Sequence, residues 1–340
     1  MEYEYDRLGQ LSKRIYGQAA CTESLTYTLQ GWLSSRTSVP FSMHLRYQQP
    51  VQNSTTAAYT GNISEWEWTQ GSGTPSTYAI DYDVYGRFKG ARSFTGNTLD
   101  NRNTEQGISY DLNGNIKTLQ RTGTTATIVD NLVYTYTGNQ LTALTENAAP
   151  VSGDIYIRGN TAAGSYTYDA DGNLLTDSRQ GLNYQYNYLN LLRQVTSGNT
   201  LKAAYRYAYN GVKIGVKGAD NRGYDYRGSF IYTRNGSSLT LESVLFGGGR
   251  IVAGTNGYEV YYYLTDHLGS VRAVVDAGGN VKERNDYYLF GARQLKGDYP
   301  QLTVNREKFN GKEKRFHRKT MLIPTVKVGS RVPIYFIYSV

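Results

Sequence analysis

The chain has one cysteine, Cys21, in 340 residues. That excludes an internal disulfide and any cysteine-rich zinc site, and it leaves Cys21 as packing. Proline numbers seven, too few for a Pro-rich extended or disordered chain. Apolar runs of about 18 residues are absent, so no segment reads as a membrane-crossing helix. The start, MEYEYDRLGQ, has no basic stretch followed by an apolar one, and no secretory signal is visible. The three histidines, His44, His267 and His317, are far apart, and no metal-ligand spacing joins them to carboxylates.

What is abundant points the other way. There are 33 tyrosines and 37 glycines, with many Asn and Thr, a composition of strands and tight turns rather than helices. The net charge of +8 is concentrated at the end: residues 305–340 hold nine Lys/Arg against two acids, leaving 27 and 26 in residues 1–304. The body is neutral overall, and the basicity belongs to the tail.

A repeat organises the body. YDRLGQL from Tyr5, YDVYGRF from Tyr82, YDLNGNI from Tyr110 and YDADGNL from Tyr168 each read Tyr-Asp, two residues, Gly, one residue, apolar. YTLQGWL from Tyr27 and YAYNGVKI from Tyr207 keep the glycine without the aspartate. YTGNI from Tyr59 and YTGNQL from Tyr136 are compact forms, and YNYLNLLRQV from Tyr186 is a decayed one. These nine units have a mechanical reading. Alternating tyrosines form a strand face, the aspartate bonds the backbone two residues on, and the glycine supplies a positive φ. Each unit is then a β-hairpin. Single hairpins are marginal in water, so neighbours are expected to pair edge to edge. The expected fold is all-β: repeated β-hairpins forming a long, twisted, spiralling antiparallel sheet.

Tyr-Asp-x-x-Gly units of this kind resemble the YD-repeat, or Rhs-repeat, family. The stretch YYYLTDHLGSVRAVVDAGGNVKERNDYYLFG, residues 261–291, is similar to the family's Rhs-repeat-associated core, and NREKFNGKEK, 305–314, continues the likeness. The resemblance implies a partial β-shell that encloses or presents a C-terminal polymorphic-toxin cargo. Its partners would be that cargo or missing upstream repeats, and its location secreted or at the cell surface. It further implies boundaries of 1–215 for the repeats, 216–257 for a connecting β segment, 258–313 for the core and 314–340 for a divergent tail. Family members often continue into an Asp-Pro-x-Gly self-cleavage segment. Here RFHRKTMLIPTVKVGSRVPIYFIYSV follows, without aspartate. No catalytic residue is carried over, and the chain is expected to be non-enzymatic. The tail is open to three readings: a variable segment too short for a toxin enzyme, the product of a shifted frame in a truncated gene, or a basic β-forming plug.

The remaining candidates are read as structural. Asp266, His267 and Ser270 have the residue types of a hydrolase triad, but adjacent strand residues point to opposite faces, and DHLGS reads as a turn bent at Gly269. Asp169, Asp171 and Asn173 begin like a calcium loop, yet Gln180 occupies the place of the bidentate Glu. GGG at 247–249 reads as a kink between strands. Val271, Ala273 and Val275 alternate with Arg272 and Asp276, with AGGN, 277–280, as the turn. Trp66 and Trp68 share a strand face, either packed on a neighbouring hairpin or stacked on carbohydrate, the latter giving an adhesion module as the alternative function. KRFHRK, 314–319, reads as solvated charge rather than a specific nucleic-acid site. No cofactor or metal is expected.

Overall fold

The structure, a computed structural model, describes residues 1–18, 21–149, 163–254, 257–294 and 296–313. The tail, with His317 and the basic run 314–319, lies outside the described residues. Twenty-six strands and one short 3-10 turn, Phe309–Gly311, make up the regular structure of the described residues. They fall in sheets of nine and 17 strands, in which hydrogen-bonded neighbours are consecutive in the chain. The all-β, hairpin-after-hairpin antiparallel architecture expected from the repeat is therefore present. Consecutive antiparallel pairing needs only tight turns, which is what the sequence supplies at each Gly.

The turn is built as its residues dictate. At the unit from Tyr168, the Asp169 N–H donates to the Asn173 carbonyl (2.9 Å) and the Gly172 N–H to the Asp169 carbonyl (3.1 Å). One carboxylate oxygen of Asp169 accepts the N–H groups of Asp171 (3.0 Å) and Asn173 (2.8 Å). These are donors that a tight reversal leaves unpaired, and a short acceptor at this position satisfies both. The Gly172 φ of +81° is one that a side chain resists. The same four bonds recur at Asp6, Asp83 and Asp111. In the decayed copy Asn187 takes the aspartate's part and Asn190, at φ +56°, the glycine's. Asp169 is thus a turn residue rather than the start of a calcium loop.

The tyrosine has a specific task. Its hydroxyl reaches the carbonyl of the apolar residue in the preceding unit: Tyr27 to Leu11 (2.9 Å), Tyr168 to Leu141 (2.9 Å), Tyr186 to Leu174 (3.0 Å) and Tyr207 to Leu192 (2.9 Å). Each of these tyrosines also sits at a register shift in its ladder. A bulge there takes backbone groups out of the regular pattern, and the hydroxyl of the next unit pairs with a nearby carbonyl. Phenylalanine would cover the same area without this bond.

The described chain divides into two compact units. The first combines Met1–Ser109, Leu119–Val129 and Val260–Glu313; the second contains Tyr110–Thr118 and Asp130–Glu259. In the first, Phe41, Met43, Leu45, Trp66, Trp68, Tyr78 and Ile80 form a core with Leu264, Ala273 and Val275 of the terminal segment. The second has a smaller cluster of Leu182, Tyr184 and Val195, flanked by Leu174, Tyr186, Leu192 and Tyr205. Gly247 and Gly248 form a two-residue hairpin turn between Phe246 and Gly249, with Gly248 at φ +99°.

Two sequence readings change here. The turn after Val271–Asp276 begins at Asp276, whose carboxylate accepts from Gly278 and Asn280 (both 2.9 Å) as the repeat aspartates do. It is an additional copy of the repeat turn with valine in the tyrosine's place. Furthermore, all residues from Val271 to Val275 are buried, Arg272 completely. The apolar-polar alternation suggested a half-buried strand; the strand is covered on both faces because Arg272 has buried partners. We expect Tyr168→Phe to lower stability by about 1 kcal/mol, the net value of one hydrogen bond, and Gly172→Val to cost more because φ must stay positive. Urea denaturation followed by far-UV circular dichroism measures both. Equal stability of Tyr168→Phe and the parent would contradict the hydroxyl's role.

Candidate functional site

The Asp-His-Leu-Gly-Ser stretch forms the repeat turn in its most buried version. The Asp266 Oδ1 accepts the N–H groups of Leu268 (3.0 Å) and Ser270 (2.9 Å), and Gly269 has φ +83°. The Ser270 hydroxyl accepts the Asn310 N–H at 3.1 Å. The His267 ring lies edge-on to Trp66, with centroids 4.8 Å apart at 87°; burial lowers its pKa. The three side chains thus have separate partners, and no Ser-His-Asp relay is assembled.

What the turn positions is Arg272. Its guanidinium is fully buried, at 0% exposure, and rings of Phe41, Trp66, Trp68 and Tyr287 lie 5.1–5.6 Å from it. Cation–π attraction strengthens when water is excluded. Arg272 Nη2 bonds the Asp286 Oδ1 at 2.8 Å, and Nη1 lies 3.7 Å from the Asp266 Oδ2. A buried cation is tolerated only with such compensation.

Asp286 is the matching acceptor. Besides Arg272 it receives the Trp68 indole N–H (2.9 Å), the Gln70 amide (3.2 Å), the Lys296 ammonium (2.6 Å) and the Tyr299 hydroxyl (2.8 Å). Burial alone would push this carboxyl up, but Arg272, Lys296 and Tyr299 outweigh it and hold the pKa below the ordinary aspartate value. A polar cleft of about 360 Å³ lined by Arg284, Lys296, Asp298 and Tyr299 adjoins it, giving protons a route in. The centre joins the first sheet to the terminal segment, because Trp68 and Gln70 belong to Glu65–Gln70 whereas Arg272 and Asp286 follow residue 260.

Further anchors repeat this logic. Arg36 donates to the carbonyls of Thr265 (2.6 Å) and Asp266 (3.0 Å) and lies 3.4 Å from buried Glu23. Glu105 accepts the Phe290 N–H at 2.7 Å and the Arg121 Nε at 2.7 Å. Its pKa is raised, chiefly by burial and against the pull of Arg121. Glu283 accepts from Asn285 (2.5 Å), Asn305 (3.1 Å) and Lys308. Gly291, closing Tyr-Leu-Phe-Gly, is required twice: its φ is +87°, and a Cβ there would lie 2.5 Å from the Phe309 ring.

The sequence reading did not single out Arg272, Asp286, Glu283 or Glu105. For Arg272 the signal available was a charge set among Val271, Ala273, Val274 and Val275; Glu283, in VKER, and Asp286, after the strand, carry no such local mark. Trp66 and Trp68, 1% and 3% exposed, form core surface around Arg272 and offer no platform for a sugar. Among the described residues, no group of three or more His, Cys, Asp or Glu could hold a metal ion; His44 lies exposed on Phe41–Arg46.

All three tryptophans, Trp32, Trp66 and Trp68, lie in the first unit, so their fluorescence reports its unfolding. Arg272→Met should destabilise this unit by about 3–5 kcal/mol, because Asp286 and Asp266 stay buried without the cation. Arg272→Lys keeps charge but loses the planar fork, and it should fall between. The depressed Asp286 pKa sets the sign with pH. Its contribution is complete above the unfolded value of about 3.9 and disappears as pH falls through the lower native value. Acid titration should show this loss, and Asp286→Asn should flatten it; an unchanged acid slope would contradict the assignment.

The comparisons agree with this architecture. The family described as Teneurin YD-shell matches residues 1–299. A crystal structure of TcdB2-TccC3-Cdc42 is similar over 93% of this chain, with 15% identity and a TM-score of 0.59. This chain spans 18% of the length of that one. A Tc holotoxin pore structure from Photorhabdus luminescens matches over 90% of this chain and 21% of its own, at 15% identity and a TM-score of 0.36. No match is found among curated proteins. With most of its length matched, and with the repeat turn and tyrosine bond described above, the chain belongs to the teneurin YD-shell family.

Proposed function

We propose that this chain is a non-enzymatic wall segment of a YD-repeat shell from an Rhs-type toxin, secreted or carried at the cell surface. It would enclose or present a cargo that follows the terminal core, with further repeats and toxin components as partners. The observation that carries this reading is the Arg272–Asp286 centre. It ties residues 260–313, the segment nearest the cargo end, to the first sheet through the Trp68 and Gln70 bonds to buried Asp286 and the tryptophan rings around Arg272. Asp286 gathers five donors there, as in a structural clasp. The family match over residues 1–299 and the fold shared with the TcdB2-TccC3-Cdc42 structure support the same reading. The expected division is repeats over 1–215, a connecting segment over 216–257 and a terminal core over 258–313.

A direct test appends a small reporter protein after Val340 and follows its limited proteolysis. The reporter should be digested several-fold more slowly than the free reporter. Arg272→Met should remove much of that protection even where far-UV dichroism is retained. Digestion at the rate of the free reporter in the parent chain would refute the enclosing role.

A further inference from the structure

The cations of the body are segregated. Residues 192–240 hold eight Lys/Arg against two acids, a net of +6, whereas residues 1–191 hold 13 against 17, a net of −4. The overall neutrality of the body hides this, and the register of the second unit gathers the excess on one surface. Paired residues of an antiparallel ladder share a face. Ala204 opposes Lys217 and Arg206 opposes Gly215. Gly215 opposes Asp225, and Lys217 opposes Gly223. Gly223 opposes Arg234, Asp225 opposes Tyr232, and Arg227 opposes Phe230. One face thus presents Arg206, Lys217, Arg227 and Arg234, and Lys202 is exposed at the bulge that precedes Ala204 in the same strand. The acids of the stretch are Asp225, on this face, and Asp220, in the turn before Arg222.

The face already shows how it receives a carboxylate. The Asp225 Oδ2 takes Nη2 of both Arg206 (2.8 Å) and Arg234 (2.5 Å), and its Oδ1 takes the Arg234 Nε (2.8 Å), a forked contact. Gly215 leaves room for the Arg206 guanidinium to lie across the strands, since a Cβ there would come within 2.7 Å of the Arg206 Nη2. Arg206 is half exposed, and Lys202 and Arg227 are exposed. Of the rings on this face, Tyr232 is covered by Arg227, 5.3 Å from its centre, and Phe230 is 46% exposed. A single open ring is not the row of aromatics on which single-stranded nucleic acid stacks.

We infer that this face docks an extended acidic polypeptide segment, whose Asp and Glu carboxylates are taken by Arg206 and Arg227 with Lys202 and Lys217. The charge complementarity steers such a segment to the face. The inference rests on the cargo-holding role and names the chemistry of what is held.

The test measures fluorescence anisotropy of labelled poly-L-glutamate with the full chain at low salt. Parent protein should bind, and Lys202→Glu/Lys217→Glu/Arg227→Glu should weaken binding about ten-fold or more. The equally charged control Arg7→Glu/Lys89→Glu/Arg102→Glu, in the first unit, should stay within about two-fold at the same ionic strength. Circular dichroism and thermal melting establish that both variants are folded. Failure of the parent to bind, or equal losses in the two variants, would overturn the inference. Tighter binding of single-stranded DNA, lost in the first variant only, would overturn it in favour of a phosphate-binding face. Because the probe is free in solution, its failure with reporter protection intact rejects this face alone. Loss of protection with poly-glutamate binding intact rejects the enclosing role instead.

Discussion

A guanidinium without water is the constraint around which the first unit is arranged. Arg272 is fully buried, and an unpaired cation in that position would cost more than a small unit can lose. Four aromatic rings, Asp286 and the more distant Asp266 make the position tolerable. Those partners come from both ends of a discontinuous unit, so satisfying one charge requires the terminal segment to sit on the first sheet. Hydrophobic contact alone would allow many such placements. The Arg272 pair and the indole bond to Asp286 select one.

The repeats rest on a more local economy. Each aspartate supplies acceptors that a tight turn lacks, each glycine or asparagine tolerates the positive φ, and the hydroxyls of Tyr27, Tyr168, Tyr186 and Tyr207 pair with a carbonyl of the unit before. These bonds connect nearest neighbours, which suits a chain whose sheets grow one hairpin at a time. Where a copy loses its aspartate, as at Thr28 or Ala208, the two backbone bonds of the turn persist. The turn is held by more than one interaction, which explains how the repeat decays without losing its fold.

The sheet of the second unit shows how a pattern two residues long distributes charge. Cations at alternating positions of several strands collect on a single face, although no run in the sequence is conspicuously basic. Charge totals taken over long segments miss such a surface because the acids that offset it lie elsewhere, mostly before residue 192.

The sequence by itself determined the hairpin unit, the antiparallel class, the DHLGS turn and the family, because each depends on residues within a few positions of one another. Asp169, Gly172 and Tyr168 could be assigned from their own neighbourhood. Only the tertiary structure decided that Arg272 is a buried hub rather than a solvent-facing strand residue, that Trp66 and Trp68 line it rather than a sugar site, and that Asp286 is its counter-ion. Alternation reports which side of a strand a residue occupies but not what covers that side. Burial on both faces is set by segments some 200 residues apart in the chain, and the energy that makes it tolerable exists only once they meet.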